Sequence, residues 1–490
     1  MEGMRKKAFT SVIWASVETA GVRLINLISF LVLARILAKE DFGVLALASV
    51  YIAFLELVVR AGITDVIVQH DDLSELHKDT AFWSTAILGV MAMVGSTLLA
   101  PVAANWSGEA IIEPVVNWLA LGIIPLSLSR VQQGLLMREL DYRSLAFRRL
   151  VSAACGAAVG ITMAIKGYGV WSLVAQQLVE RVAEFLTLYS VTRWLPKWRF
   201  SWSAFSDLWT YASRIMAFNI LNFAGSNLDR FIIGQFFGVA TLGIYFVGRR
   251  IIEVIQGIVR VVIGRVALSA FSRIQFDNER LFEGSAAMAR IIALGGFPVM
   301  GLFIFFGQDI TTAVFGDKWV EAGTICQIVA VGGIIQMATL FTQPLLKAKG
   351  YPGSVLMANT AMFVTSILLG LALASFGLNA FTVGWVSGNL VFGGLLVYSV
   401  KTIMEYPVAK VFKQYVGPVL ALLCGWLVTM YADPLILQYL DHPLVLLSVR
   451  VVLFLCCYAI FLLVFGFNTV KLAYADVSMI SRGKNKRKAG

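Results

Sequence analysis

Two stretches, "QGLLMRELDYRS" from Gln133 to Ser144 and "QPLLKAKGYPGS" from Gln343 to Ser354, carry the organisation of this chain. They resemble each other at an offset of 210 residues, and each closes an apolar segment and enters a basic loop. A shift of 200 residues aligns a second pair of segments: Gly43 falls on Gly243, Ile52 on Ile252, Val59 on Val259, Arg60 on Arg260, Ile63 on Ile263 and Val66 on Val266. Apolar helices match one another easily, but an arginine that recurs at one register inside an apolar segment is less easily accidental. The two matches predict a duplicated unit of six helices.

Composition says where those helices lie. Of the 490 residues 59% are hydrophobic and only 14% charged, and the mean hydropathy is +0.80, far outside the range of soluble globular domains. Apolar runs of roughly 20 residues, the length that crosses a bilayer, are expected at 9–37, 42–68, 80–104, 115–136, 149–166, 168–192, 208–237, 240–265, 286–307, 321–346, 353–376, 380–400, 415–432 and 445–467. The chain is therefore expected to be an all-α polytopic membrane protein with about fourteen spanning helices. Two six-helix lobes are expected at 1–200 and 201–405, two extra helices within 406–470, and a basic cytoplasmic tail at 471–490. An even number of helices per repeat puts both copies in the same orientation about an axis along the membrane normal, with a central cavity between them. The basic start "MEGMRKKAFTSVIWAS" continues into an apolar run without a clear cleavage site and reads as a retained first helix.

The net charge is +11. With the N-terminus in the cytoplasm, alternate loops on that side hold Arg5, Lys6, Lys7, Lys78, Arg143, Lys197, Lys347 and the basic tail, whereas the opposite loops offer only Lys39, Lys166 and Lys318. That asymmetry places both termini in the cytoplasm and accounts for the charge by topology. A nucleic-acid partner is not expected, because the basic residues are spread over membrane loops. The five cysteines lie inside apolar segments and the three histidines are scattered, so no metal site, no cofactor and no nucleophile–base pair is expected. No enzyme chemistry is visible.

Ionisable side chains at bilayer depth are costly and normally face protein or a wet cavity. Helical spacing puts Arg249, Glu253, Gln256 and Arg260 on one face of helix eight, and Ser49, Ala53, Glu56 and Arg60 on the corresponding face of helix two. Helix one lines up Ser16, Thr19, Arg23 and Asn26; helix seven lines up Asn219, Asn222, Ser226 and Asp229. One reading makes Glu56 with Arg60, and Arg249 with Glu253, ion pairs that only hold helices together. The other makes the four stripes the lining of an anion-attracting cavity, because Arg23, Arg60, Arg249, Arg250 and Arg260 outnumber the acids near them. Arginine suits phosphate, since its planar fork donates two parallel hydrogen bonds. Glu56, Asp229 and Glu253 are then candidates for ion coupling or gating, and Asn26, Asn219, Asn222, Ser226 and Gln256 for polar lining. Asp229, in "NLDRFIIGQF" from Asn227 to Phe236, is expected near the periplasmic mouth, bridging to a basic residue of the opposite lobe. Helix six carries Gln176, Gln177, Glu180, Arg181 and Glu184 as support within its lobe, and Arg450, near a helix end, is expected to snorkel.

The segments "SVIWASVETAGVRLINLISFLVLARILAKEDFGVLALA", "QGLLMRELDYRSLAFRRL", "KGYGVWSLVAQQL" and "SNLDRFIIGQFFGVATLGIYFVG" resemble the Wzx-type polysaccharide flippases of the multidrug/oligosaccharidyl-lipid/polysaccharide exporter superfamily. The resemblance covers almost the whole chain. It implies a V-shaped pair of lobes in the bacterial inner membrane and a cationic cavity. It further implies alternating access that moves a polyprenyl-pyrophosphate-linked glycan to the periplasmic leaflet for exopolysaccharide, capsule or O-antigen synthesis. It also implies arginines on helices one, two and eight at Arg23, Arg60 and Arg249 or Arg250, a lipid-tail groove on the two extra helices, and a polysaccharide polymerase or co-polymerase as partner. Two other readings stay open: a drug or cation antiporter of the same superfamily, against which the arginine excess argues, and a non-transporting component of a polysaccharide assembly complex. A membrane-bound polymerase or ligase typically carries a large periplasmic loop, and every outward loop here is short.

Overall fold

The computed structural model describes residues 2–60, 63–69, 72–192, 194–405, 407–438 and 443–473. The side chains of Arg60, Asn222 and Ser226, and most of the expected basic tail, lie outside the described residues. The described chain is helical throughout, with no strand. Hydrocarbon offers no partner to a free N–H or C=O, so the backbone must satisfy itself within each helix.

In chain order the helices are α1 (Glu2–Ile36), α2 (Lys39–Arg60), α3 (Ile63–Gln69), α4 (Glu75–Ser107), α5 (Ile112–Leu121), α6 (Ile123–Leu128), α7 (Arg130–Arg138), α8 (Tyr142–Ile165) and α9 (Val170–Thr192). They continue with α10 (Trp202–Arg273), α11 (Asn278–Phe315), α12 (Val320–Ala338), α13 (Thr342–Ala348), α14 (Pro352–Leu373), α15 (Leu378–Met404), α16 (Val408–Leu437) and α17 (Pro443–Phe465). Among the described residues eleven helical spans are long and apolar enough to cross a membrane, fewer than the fourteen expected. α9 has the length but carries Glu180, Arg181 and Glu184. Expected helices seven and eight are the two arms of α10, which turns at Gly238 (φ 80°, ψ 170°).

The expected helix at 115–136 is broken into α5, α6 and α7. At the second break the Ser129 hydroxyl turns back to donate to the Pro125 carbonyl at 2.7 Å. The same device recurs 210 residues later, where Thr339 donates to the Ile335 carbonyl at 3.1 Å between α12 and α13. Further on, the Asp141 N–H donates to the Leu136 carbonyl at 2.9 Å, and the Tyr351 N–H to Leu346 at 2.8 Å. The residue just before each donor is left-handed, Leu140 at φ 58° and Gly350 at φ 86°. Backbone hydrogen bonds thus repeat at the offset seen in the side-chain pattern.

The chain divides into two compact units, Met1–Phe246 and Val247–Gly490. In the first, α8 packs on α1 and α9. Gly156 and Gly160, one turn apart on α8, bring its backbone against Gln176 and Glu180 of α9. In the second, Gly384 and Gly388 do the same for α15 against α14, and α11 is the central helix, packed by α12, α16 and α17 around Phe297, Met300, Leu422 and Phe454.

Arg450 corrects an expectation. It does not snorkel: its Nε and Nη2 donate to both oxygens of Asp433 at 2.6 and 2.7 Å, and its Nη1 donates to Asp309 at 3.1 Å. Two carboxylates at its own level supply the compensation that water would otherwise give, and the planar fork fits one of them bidentately. The triad ties α17, α16 and α11 together. Arg450→Ala is expected to cost ~1–3 kcal/mol and to lower the midpoint of thermal unfolding in detergent. Arg450→Lys, which keeps the charge without the fork, should recover only part of that loss.

Candidate functional site

Among the described residues several charges within the helices are answered by an opposite charge. In the first unit Arg148 of α8, 2% exposed, pairs with Glu184 of α9 at 3.0 Å. Arg149 reaches Glu18 of α1 at 3.1 Å. Arg181 of α9 reaches Glu56 of α2 at 2.9 Å. Glu56, a coupling candidate, therefore takes part in a helix-to-helix bridge with a residue 125 positions away, and the polar set on α9 is what receives it.

Arg23 differs. It is half-buried on α1 and makes no hydrogen bond or ion pair with any described residue. Asn26, one turn on and also half-buried, is likewise without a described partner. Both lie midway along an apolar span, where a polar group without a partner is costly.

The second arm of α10 carries three arginines within about three turns. Arg249 donates to Glu253 at 2.7 Å, and Arg250 lies 4.0 Å from the same carboxylate. Arg260 donates to the neutral amide oxygen of Gln256 at 3.4 Å, and Gln256 in turn packs on Gly333 of α12. Arg260 thus meets an amide rather than a carboxylate among the described residues.

Asp229 is fully buried, and its Oδ2 accepts from the Tyr245 hydroxyl at 2.6 Å. It faces protein rather than an open cavity, and this partner lies on the other side of the Gly238 bend. Arg230 sits over the Phe246 ring, 5.3 Å from its centre, and Phe246 stacks on Phe42 at 6.4 Å. Just there α2 and the second arm of α10 meet without side chains between them. A Cβ on Gly43 would overlap the carbonyl oxygen of Val239, and one on Gly243 would overlap that of Lys39. Asn219 is half-buried on the first arm of α10. Among the described residues no cluster of His, Cys, Asp and Glu is arranged to hold a metal ion.

Sequence reasoning missed Arg181 as the partner of Glu56 and Tyr245 as the partner of Asp229. The first had a signal, since α9 presents more charge than a lipid-facing helix tolerates. The second had none, because spacing on a single helix does not carry across the bend at Gly238.

The sequence pattern of a family described as "Polysaccharide biosynthesis protein" matches residues 32–324, more than half of the chain. The chain belongs to that family. This polysaccharide biosynthesis protein is 26% identical over 347 residues to the succinoglycan biosynthesis transport protein ExoT of Rhizobium meliloti, a match covering 70% of this chain and 69% of the relative. It is 23% identical over 412 residues to the lipopolysaccharide biosynthesis protein WzxC of Escherichia coli, covering 82% and 81%. Its fold is that of the lipid II flippase MurJ in an inward closed conformation. The match has a TM-score of 0.75 and 14% identity and covers 94% of this chain and all of that one (100%). The polysaccharide biosynthesis protein is accordingly a multi-pass membrane protein with a transporter fold.

The matched charges make a prediction of their own. Arg148→Met leaves Glu184 without this cation in a low-dielectric setting and is expected to destabilise by ~3–5 kcal/mol. The double variant Arg148→Met, Glu184→Met removes both charges and should restore most of the loss. Thermal unfolding of the purified variants measures both values.

Proposed function

We propose that this chain is a flippase that carries a polyprenyl-pyrophosphate-linked oligosaccharide across the bacterial inner membrane by alternating access, with both termini in the cytoplasm. The observation that carries the reading is Arg23, which has no partner among the described residues, together with Arg260, whose described partner is the neutral amide of Gln256. Arg148, Arg181 and Arg450, by contrast, each meet a carboxylate. Cations not met by a carboxylate are suited to a ligand that is itself multiply negative, and a pyrophosphate is the anionic part of a lipid-linked sugar. We assign Arg23, Arg60, Arg249, Arg250 and Arg260 to the pyrophosphate, and Asn26, Asn219, Asn222, Ser226 and Gln256 to the polar lining. Membership of the polysaccharide biosynthesis family and the transport role in the name of ExoT support the substrate class. Arg23 and Arg260 disfavour an antiporter for cationic drugs, and a non-transporting scaffold has no need of them. A polysaccharide polymerase or co-polymerase is the natural recipient of the product.

The coupling assignment is to Glu253, which Arg249 and Arg250 approach at 2.7 and 4.0 Å: a pyrophosphate on those forks competes with this carboxylate. Asp229, sealed under Tyr245, is a latch at the α2–α10 contact rather than an exchange site. On the duplication expected from sequence, with lobes at 1–200 and 201–405, Gly43 and Gly243 are equivalent residues. Their backbone contact must part when the membrane face on that side opens.

Arg23→Ala is expected to reduce polymer export at least about tenfold, the loss of one strong charge-assisted contact, at normal protein levels. Lipid-linked repeat units should then accumulate on the cytoplasmic leaflet, read by mass analysis. Unchanged export would exclude the cationic mechanism. Gly43→Ala and Gly243→Ala are each expected to abolish transport while leaving expression intact, because a methyl group holds the contact open. Gly95→Ala, in a position with open space around it, should be silent in the same assay.

A further inference from the structure

The segment joining α9 to α10, "WLPKWRFS" from Trp194 to Ser201, has no regular structure but is fastened in place. The Lys197 N–H donates to Asp79 Oδ1 at 2.9 Å, the Trp83 indole donates to the Lys197 carbonyl at 2.9 Å, and the Ser201 N–H donates to Thr80 Oγ1 at 3.2 Å. The Trp194 indole adds a bond to Glu75 at 3.3 Å. Asp79 and Thr80 are both fully buried at the start of α4, so two polar groups have been taken out of water and answered by this connection.

What the fastening achieves is the outward display of large apolar groups. Trp198 is 88% exposed, Trp202 76% and Leu195 69%, with Phe200 beside them and Trp83 stacked on Trp198 at 4.1 Å. Lys197 and Arg199 are exposed among these rings. The acids nearby are already engaged or set apart: Glu75 accepts from Lys78 at 2.7 Å, Asp79 is buried, and Asp207 faces His77 at 4.0 Å. Indoles held rigidly in water are unfavourable, whereas at the end of two membrane helices the surrounding medium is the headgroup layer, where amphipathic rings are stable. Two exposed cations in the same eight residues, of which Lys197 also lies within electrostatic reach of Glu75, add a preference for negative headgroups.

We propose that the α9–α10 connection is a built interfacial site for anionic phospholipid, with Trp198 and Trp202 inserted at headgroup depth and Lys197 and Arg199 against lipid phosphates. It goes beyond the transport reading and does not depend on it. A glycan-carrying substrate would engage the arginines of α1, α2 and α10, none of which belongs to this segment.

The test uses the full chain in nanodiscs of equal parts phosphatidylglycerol and phosphatidylcholine, with benzoylphenylalanine in place of Trp202 and lipid adducts identified by mass after illumination. Phosphatidylglycerol adducts are expected to exceed phosphatidylcholine adducts about fivefold, a modest effect for two surface cations. Lys197→Gln with Arg199→Gln should return the ratio to that of the bulk. Neither change touches the fastening, because Lys197 contributes its backbone, and an unchanged thermal unfolding midpoint checks that the variant is folded. Adducts at the bulk ratio in the unmodified sequence, or a ratio that survives the double variant, would overturn the anionic-lipid site. Absence of any lipid adduct, or capture of a protein in native membranes instead, would overturn the interfacial placement itself. None of these results bears on Arg23, so the flippase reading stands or falls separately.

Discussion

A charge removed from water must be answered by another charge or by a ligand. Most of this molecule obeys the first alternative. Arg148 with Glu184 and Arg450 with Asp433 join consecutive helices, and Arg181 with Glu56 and Arg450 with Asp309 join helices far apart in sequence. These bridges fix which helix faces which, a task that apolar packing in lipid performs poorly because hydrocarbon tails compete as equals with leucine. Arg23 stands out by contrast, since no described residue answers it.

The glycines do the complementary work. Where bridges choose partners, Gly156 and Gly160 on α8, Gly384 and Gly388 on α15, and Gly43 with Gly243 let backbones come close enough for dispersion to hold them. The result is rigid where helices bear on one another and leaves the bends at Gly238 and Ser129 as places where direction changes.

Much of the architecture was legible in the sequence because lipid allows so few solutions: apolar length gives a helix, and the periodicity of its polar residues gives a face. The likeness at an offset of 210 residues has a local counterpart in matching hydrogen bonds of Ser129 and Thr339 and of Asp141 and Tyr351. Partner choice was legible within a helix and not between helices. Spacing gave the Arg249–Glu253 pair, at 2.7 Å, but not Arg181 on α9, which approaches Glu56 to 2.9 Å. Arg450 was read by its distance from a helix end, while its fate was decided by two aspartates on other helices. The break of one expected helix into α5, α6 and α7 depends on a serine hydroxyl folding back, a local choice that hydropathy does not register.

Lys39 meets Gly243, and Val239 meets Gly43. Numbered by their offset of 200, these are one contact made twice with the roles exchanged, the reciprocity that a two-fold axis imposes on identical partners. On the proposed duplication, the ancestral form was a six-helix chain that paired with its own copy through this surface. Joining the copies end to end released them from having to be alike. Arg249, Arg250 and Glu253 occupy positions whose counterparts are Ser49, Val50 and Ala53, and Asp229 faces Tyr245 where the counterparts are Ser29 and Leu45. A homodimer would have had to carry each of those charges twice. On that proposal, fusion freed the two halves to carry different charges at equivalent positions, and a directional machine needs such a difference.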